Sequence, residues 1–595
     1  MTKRTPSPLP MKDDEAEALL LPHEIVRDPV QHDITITALE RVIIDTLGFQ
    51  RLRSINQLGP THIVYPGAVH TRFLHSLGTL HCAEQLVHIA NQKYSTHSQP
   101  SLMRVDSYSH LLIRLCALLH DAAHMPFSHT LEDEGNLADP EWEDAKRADE
   151  WLGEGKEIPT AILKFLIDSG FSSSAAEQVV SDIRHYLLFT GDPMELEYPF
   201  IVDFVGNTLC ADLLDYLDRD MYFTGLRERS GDRVIKYVAV VRVIRPKNNE
   251  DGEEEFLPSD EPTKGKGRVV LLAYRFEREH LAGGQLKPVL KSEILSEAID
   301  LLRRRFALAE KVYFHRTKLA ASAMLISAMG NASLKMHEIY GLSDNALLSL
   351  LHSDANPRTQ RLAKAYEARR LYKPVYRIAY REECDADPQS KILWREKYKA
   401  FRSPAWRKEK EQDIETYSGL PVGSAAIYCP DRGMNLKEFE MLVQSQPGAE
   451  IKPLGNILDS NRRLEMDAIN QRFAQLWSFF VFVDPQAIDV SQVQNEAVQD
   501  LNAICESIIG FPNDIAALQG KGRPLRAQLA TRMIREHEQA GGGKVEFGVY
   551  EELVRAPHRA ERSSDLLDEI RNHLRALMGQ KKAKQLELNT GEKGE

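Results

Sequence analysis

The stretch Leu118-Leu119-His120-Asp121-Ala122-Ala123-His124-Met125-Pro126-Phe127-Ser128-His129 ends an apolar run in adjacent imidazole and carboxylate side chains, and two more histidines follow. Imidazole and carboxylate together make a borderline ligand set suited to Mn, Mg, Fe, Co or Zn, at which a bound water becomes a nucleophile. An ionisable pair at the end of an apolar run costs desolvation unless a cation or a partner compensates it. A helix-end salt bridge is the rival account, so other His and Asp residues must complete the set. Two segments offer them: Arg72-Phe73-Leu74-His75-Ser76-Leu77-Gly78 upstream and Asp212-Leu213-Leu214-Asp215-Tyr216-Leu217-Asp218-Arg219-Asp220 downstream. His75 alone is a weak signal, because a single histidine beside an apolar helix is more often a hydrogen-bonded structural residue.

Helical periodicity carries these residues. Val42-Ile43-Ile44 with Leu47 and Leu52 gives an apolar face at helical spacing, as does Leu111-Leu112 with Leu115 and Leu118-Leu119. Pro126 ends or kinks the second helix, which puts His120 and Asp121 near its C-terminal end. Helices dominate from Ile25 to about Leu325, interrupted by the β-branched runs 234–244 and 268–274, which predict a β-hairpin inserted at about 234–275. The expected fold is therefore mainly α: a helical core over 25–380, a charged connector over 381–424 and a smaller α+β domain over 425–580. In that last domain 425–430 and 479–484 read as strands and 436–443 as a helix. Residues 1–24, with Asp13, Asp14, Glu15 and Glu17, read as a flexible polar lead-in, and 581–595 as a disordered tail.

The bulk numbers exclude some classes. A chain of 595 residues is too long for one core. No apolar run approaches the roughly 18–20 residues of a membrane helix, so no membrane partner is expected. Cys82, Cys116, Cys210, Cys384, Cys429 and Cys505 form no CxxC pair, which suits reduced thiols and a cytoplasmic protein. The net charge of −12 argues against a dedicated nucleic-acid binder, and no basic stripe with interleaved aromatics marks a single-strand nucleic-acid site.

Taken together, the segments resemble the HD-domain deoxynucleoside triphosphate triphosphohydrolases, the SAM-and-HD-domain type and its bacterial relatives. The resemblance runs from Asp28-Pro29-Val30 through Ile43-Ile44-Asp45-Thr46, Phe49-Gln50-Arg51-Leu52-Arg53, Asn56-Gln57-Leu58-Gly59, Pro66-Gly67-Ala68 and the His75 segment. It takes in His120-Asp121, Pro126-Phe127-Ser128-His129 and the Asp212 segment, then Val312-Tyr313-Phe314-His315-Arg316 and Arg370-Leu371-Tyr372-Lys373-Pro374-Val375-Tyr376. It implies an HD-domain helical core with a divalent metal ion held by His75, His120, Asp121 and Asp212. It implies phosphate contact and proton transfer by His124 and His129, with Glu132 or Asp133 as acidic partner, and a phosphate grip by Arg72 and Arg305. Gln57, Leu58 and Tyr313 fall on the deoxyribose gate, and Asp215, Tyr216 and Asp220 on further substrate contacts. The implied reaction is attack of water on the α-phosphorus of a dNTP, releasing deoxynucleoside and inorganic triphosphate, in dNTP-pool control or antiphage defence. A homo-oligomer, tetramer or hexamer, is implied as well.

Three positions depart from the family pattern. Leu213 stands where a triphosphate-holding lysine is expected, and no histidine occurs between Thr130 and Arg184 to complete a catalytic dyad, with Lys146 or Arg147 near its place. Asp45, Gln50 and Arg53 match a nucleotide-effector pocket, but Glu24 replaces the lysine that would grip the effector's phosphates. A nucleotide phosphatase or phosphodiesterase acting on another nucleotide, and a catalytically weakened nucleotide sensor, are the alternatives these departures leave open.

Overall fold

The computed structural model describes residues 11–137, 144–206, 209–226, 233–245, 255–278, 286–379, 396–430, 441–487, 496–511 and 513–515, with 572–578 and isolated positions between. The chain divides into two compact units, Met1–Arg369 with Pro430–Trp477, and Arg370–Cys429 with Ser478–Glu595.

The first unit is mainly helical. Its spine is the helix Arg72–Thr96, packed against Ser107–Leu119 and Ala211–Thr224. Asp106 starts the middle helix by accepting the Ser109 N–H at 2.7 Å, which satisfies one of the amides a helix N-terminus leaves open. Leu111, Leu112, Leu115, Leu118 and Leu119 are all buried, and the helix stops one residue before His120. The apolar run therefore ends where the ionisable pair begins, as its pattern predicted.

The predicted hairpin is present: Val238–Ile244 pairs antiparallel with Lys266–Leu272, while 246–254 of its connection lies outside the described residues. Its sheet also takes in Leu102–Met103 and, parallel to Leu271-Leu272, the strand Leu442–Gln444 with Ile451–Pro453 beyond it. Residues 442–453 thus belong to the first unit, although the sequence placed them in the α+β domain. Residues 442 and 443, the end of the expected helix 436–443, lie in the strand Leu442–Gln444, with 431–440 outside the described residues. Three buried residues carry too little periodicity to separate the two states.

The N-terminal expectation needs a similar correction. Asp13–Leu19 is a helix whose Ala16 and Leu19 are buried, and Asp13 accepts the Ser107 N–H at 2.7 Å. The acidic run that read as disorder is the first helical turn, where negative charge is favoured by the helix dipole. Pro22–Asp28 and His32–Thr37 then form an antiparallel hairpin inside the region read as helical. The alternation Ile34/Ile36 carried that signal, since only those residues and Thr37 turn inward.

In the second unit Lys373–Ala379, Ser478–Val483 and Ala425–Tyr428 form a three-stranded antiparallel sheet with Ser478–Val483 in the middle. That strand is buried along its whole length, which explains its unbroken apolar run. The charge-dense helix Pro404–Ser418 is not a solvated connector. Its Glu411 and Glu415 are buried and accept the Ile427 and Ala425 N–H groups at 2.8 and 3.0 Å. Residues 380–395 and 581–595 lie outside the described residues. Among the described residues no helix is long and apolar enough to cross a membrane.

Candidate active site

Three helix ends converge on one point. His75 and Asp212 lie in the first turns of Arg72–Thr96 and Ala211–Thr224, and His120 and Asp121 lie just past Ser107–Leu119. His75 Nε2 stands 3.0 Å from Asp212 Oδ1, 3.2 Å from His120 Nε2 and 3.6 Å from Asp121 Oδ2. His120 Nε2 stands 3.4 Å from Asp121 Oδ1 and 3.7 Å from Asp212 Oδ1. Donor atoms that share one cation at bond lengths of roughly 2.0–2.2 Å are separated by about 3.0–3.6 Å. His75, His120 and Asp121 offer ligand atoms that all lie within 4.8 Å of one another, and Asp212 Oδ1 adjoins both histidines at 3.0 and 3.7 Å.

Hydrogen bonds behind the rings aim them. His120 Nδ1 lies 2.8 Å from the Ala117 carbonyl, which only accepts, so Nδ1 carries the proton and the neutral ring turns its Nε2 lone pair inward. Asp215 Oδ2, 2.8 Å from His75 Nδ1, fixes that ring in the same sense. Two inward lone pairs 3.2 Å apart repel unless a cation or a proton lies between them. The residues therefore fit a divalent metal ion. Burial opposes charge on His75, yet the Asp212 and Asp215 hydrogen bonds and the Asp121 charge outweigh it and raise its pKa to about 10. Burial likewise pushes Asp212 up, but hydrogen bonds from His120 and His75 bring it well below the carboxylate range. In the metal-free site a proton on histidine supplies the positive charge that the carboxylates demand.

A second layer holds Asp215. Arg219 donates to both its oxygens, at 2.7 and 2.9 Å, and to Asp28 at 2.9 and 3.2 Å, while Gln31 Nε2 donates to Asp215 Oδ1 at 2.8 Å. Gly78, one turn along from His75, makes room for this. A Cβ there would overlap Asp215 and Arg219. The resemblance implied a substrate contact for Asp215; instead its carboxylate is fully enclosed and orients His75.

Residues 279–399 match the family model described as the HD associated region. The chain is 28% identical over 376 residues to uncharacterized protein MJ1154 of Methanocaldococcus jannaschii, spanning 62% of this chain and 63% of that one. It is 28% identical over 394 residues to deoxynucleoside triphosphate triphosphohydrolase SAMHD1 of Homo sapiens, spanning 64% and 58%. It is 30% identical over 230 residues to YwfO of Bacillus subtilis, spanning 38% and 45%. The chain thus spans less than two thirds of the length of each of these relatives. The chain is similar in sequence to a protein named as a deoxynucleoside triphosphate triphosphohydrolase and carries a segment matching the HD associated region. A solved phosphohydrolase structure from Bacteroides thetaiotaomicron superposes with a TM-score of 0.48 at 19% identity, covering 78% of this chain and all of that one.

The HD site continues through Pro126–Glu134. Arg72 Nη1 donates to Asp121 Oδ2 at 2.5 Å and Nε to Ser128 Oγ at 2.9 Å. Its Nη2 is buried with no hydrogen-bond partner among the described residues. A guanidinium locked on two sides with one donor unused is built to meet an anion. His124 Nδ1 lies 2.7 Å from Glu132 Oε2 and its Nε2 lies 3.1 Å from Asp121 Oδ1. Burial and Arg72 oppose its charge, but Glu132 and Asp121 prevail and raise its pKa to about 9. The exposed His129 pairs with Asp133 at 2.6 Å and meets the His124 ring edge-on, 4.8 Å between centroids. His124, His129 and Glu132 stand close enough together to share an ion of their own. Glu132 is already spent, since its Oε1 accepts the Met125 N–H at 2.9 Å. It orients His124 rather than facing a substrate.

Of the residues expected to contact the sugar, Tyr313 meets the Asp212 helix. Tyr313 OH donates to Asp220 Oδ2 at 2.6 Å, and Asp220 Oδ1 lies 2.8 Å from His70 Nε2. Asp220, implied as a substrate contact, therefore has both oxygens engaged and fixes Tyr313. Tyr216, a turn from Asp212, is near enough to Arg305 for the guanidinium to favour its ionised form against burial, and so is Tyr313. The structure thus brings Arg305 to this cluster. Gln57 Oε1 is buried without a partner among the described residues, and Leu58 is half-buried against the core. Leu213 is buried, so no cation replaces the missing lysine at that position. The side chains of Lys146 and Arg147 lie outside the described ones.

The residues that match an effector pocket each have a partner within the chain. Arg41 Nε binds Asp45 Oδ2 and its Nη1 binds Glu24 Oε2, each at 2.7 Å and exposed. Gln50 donates to the Ile44 carbonyl at 2.8 Å and accepts from Arg53 Nε at 2.8 Å, and the Arg53 guanidinium lies over the Phe73 ring. Sequence reasoning missed His70, Asp28, Gln31, Arg219, Ser128 and Asp344. Apart from Asp215, four residues before Arg219, their side-chain partners lie far away along the chain, 191 residues for Arg219 and Asp28.

Proposed function

We propose that the protein is a divalent-metal-dependent phosphohydrolase that cleaves dNTPs to deoxynucleoside and inorganic triphosphate. The carrying observation is the convergence of buried His75 and Asp121 with half-buried His120 and Asp212, beside an Arg72 whose remaining donor has no acceptor among the described residues. A divalent cation, when bound there, screens phosphate charge and acidifies a coordinated water. The chain's own residues do the rest. Arg72 holds a phosphate oxygen and gains strength as charge grows in the transition state. As water oxygen bonds to the α-phosphorus and the P–O5′ bond breaks, the proton that O5′ needs comes from the His124 imidazolium, which Glu132 holds in place. Tyr313, fixed by Asp220, and Leu58 border the sugar and disfavour a 2′-hydroxyl. The dNTPase name of the SAMHD1 relatives supports this reading. Incubation with each dNTP and Mn, Mg, Co or Fe, with analysis for free triphosphate, tests it. Intact dNTPs in every combination, with nucleotide effectors added, would refute it.

The buried Leu213 favours one second reading, a nucleotide carrying fewer phosphates. Release of inorganic phosphate or a nucleoside monophosphate, without triphosphate, distinguishes it. Nucleotide regulation, homo-oligomer assembly as a tetramer or hexamer, and a role in dNTP-pool control or antiphage defence belong to the same proposal.

A further inference from the structure

Asp344 opens the helix Asp344–Ser353, within the HD associated region, and is buried. Its carboxylate accepts two backbone amides from segments far away in the chain. Oδ1 takes the Phe127 N–H at 2.7 Å and Oδ2 takes the Asn56 N–H at 2.9 Å. Both amides belong to segments that face the reacting groups. Phe127 and Ser128 are consecutive non-glycine residues in the left-handed region, with φ of 58° and 46°. Such a pair persists only where its surroundings over-determine it. Ser128 passes the constraint on, because its Oγ accepts from Arg72 Nε at 2.9 Å. Asn56 leads into Gln57 and Leu58 and bridges to Thr71, the residue before Arg72. Gly59, with φ 48°, then lies against the same turn, where a Cβ would stand 2.8 Å from Thr130 Oγ1 and 3.1 Å from the Phe127 carbonyl.

We propose that Asp344 is a positioning residue whose carboxylate clamps the Asn56 and Phe127 amides together, fixing Arg72 and the Gln57-Leu58 segment relative to the metal ligands. What is positioned rests on the phosphohydrolase reading; the clamp itself does not. Only a carboxylate serves both amides, because an asparagine offers one acceptor oxygen and turns an NH2 group against the second N–H.

Hydrogen exchange on the full-length Mn-loaded protein tests the clamp, with Asp344→Asn as the nearly isosteric variant. Peptides holding Asn56 and Phe127 should exchange about tenfold faster or more, as expected when a buried charged acceptor is lost. Bound Mn per chain should stay unchanged. In triphosphate release from dNTPs, kcat should fall about tenfold or more with KM moving far less, since a misplaced arginine costs transition-state contact before it costs binding. Unchanged exchange in both peptides overturns the clamp, whatever the turnover. Faster exchange with unchanged kcat and KM overturns the positioning role. If the wild-type protein releases no triphosphate, the functional reading fails while the exchange result still decides the clamp. Should Asp344→Asn fail to fold, the wild-type protein decides: the Asn56 and Phe127 amides must be protected, and free exchange at both overturns the proposal.

Discussion

Two charge clusters in the first unit are held together on different terms. Glu24, Arg41 and Asp45 stand exposed, two carboxylates on one guanidinium, and water solvates the negative charge left over. His75 and Asp121 are buried and His120 and Asp212 half-buried where they converge, with two ring nitrogens facing each other and each ring held from behind. The exposed cluster asks for no ligand, because its surplus carboxylate charge stands in water. The converging one has a surplus of acceptors that only a proton or a metal ion satisfies. Burial makes the difference diagnostic, since unpaired charge is cheap in water and expensive out of it.

The largest predicted effect falls on the converging cluster. Asp121→Ala should abolish bound metal and lower any hydrolysis by on the order of a thousandfold or more, because it removes a ligand and leaves Arg72 without its buried partner. Metal analysis beside a dNTP assay checks this; full metal occupancy in the variant would contradict the ligand assignment.

Gly78→Ala should come next. A methyl group there meets Asp215 and Arg219 inside a filled core, so a loss of about 1–3 kcal/mol in stability is expected together with weaker metal binding. Alanine otherwise favours a helix interior over glycine by about 1 kcal/mol, so the sign of the change separates the two effects. Thermal melting with and without Mn reads it.

Asp215→Asn should weaken metal binding about 10–100-fold, the usual cost of losing a carboxylate behind a ligating histidine. Affinity should also depend on pH with a definite sign. The metal-free His75 has its pKa raised to about 10, so across the neutral range a proton must leave before metal binds. Affinity should therefore rise about tenfold per pH unit from about pH 6 to about pH 8, and calorimetry in buffers of differing ionisation heat should count one proton released. A flat profile would show that His75 is already deprotonated.

What the sequence revealed follows the same division. His120-Asp121 was legible because a local contrast, an apolar run ending in two ionisable groups, reports the cost of burial directly. His75 and Asp212 became legible only through family resemblance, for nothing within their own segments says that they meet. The support around them stayed hidden for the same reason. Asp28 to Arg219 and Asp344 to the Phe127 N–H are pairings made by tertiary structure, and each charged partner alone reads as a surface charge. The acidic run 13–17 and the 404–418 helix were misread in the opposite direction, as solvated charge, because their carboxylates serve backbone amides or a helix dipole.

The smallest effect belongs to the exposed cluster, and it sharpens the contrast most. Arg41→Ala removes both ion pairs at once, yet exposed pairs are screened by water and salt and hold long side chains at an entropic cost. The melting temperature should move by no more than about one or two degrees, and raising salt should shrink even that. Metal content and basal hydrolysis should not change, since no bond links Arg41 to the ligand set. The variant also bares Asp45 without disturbing Gln50 or Arg53. If that surface takes a nucleotide effector, Arg41 competes with it for Asp45, and activation by added nucleotide should appear or strengthen in the variant. A loss of metal or of basal turnover would mean that the two clusters are mechanically joined, and the comparison between them would no longer stand.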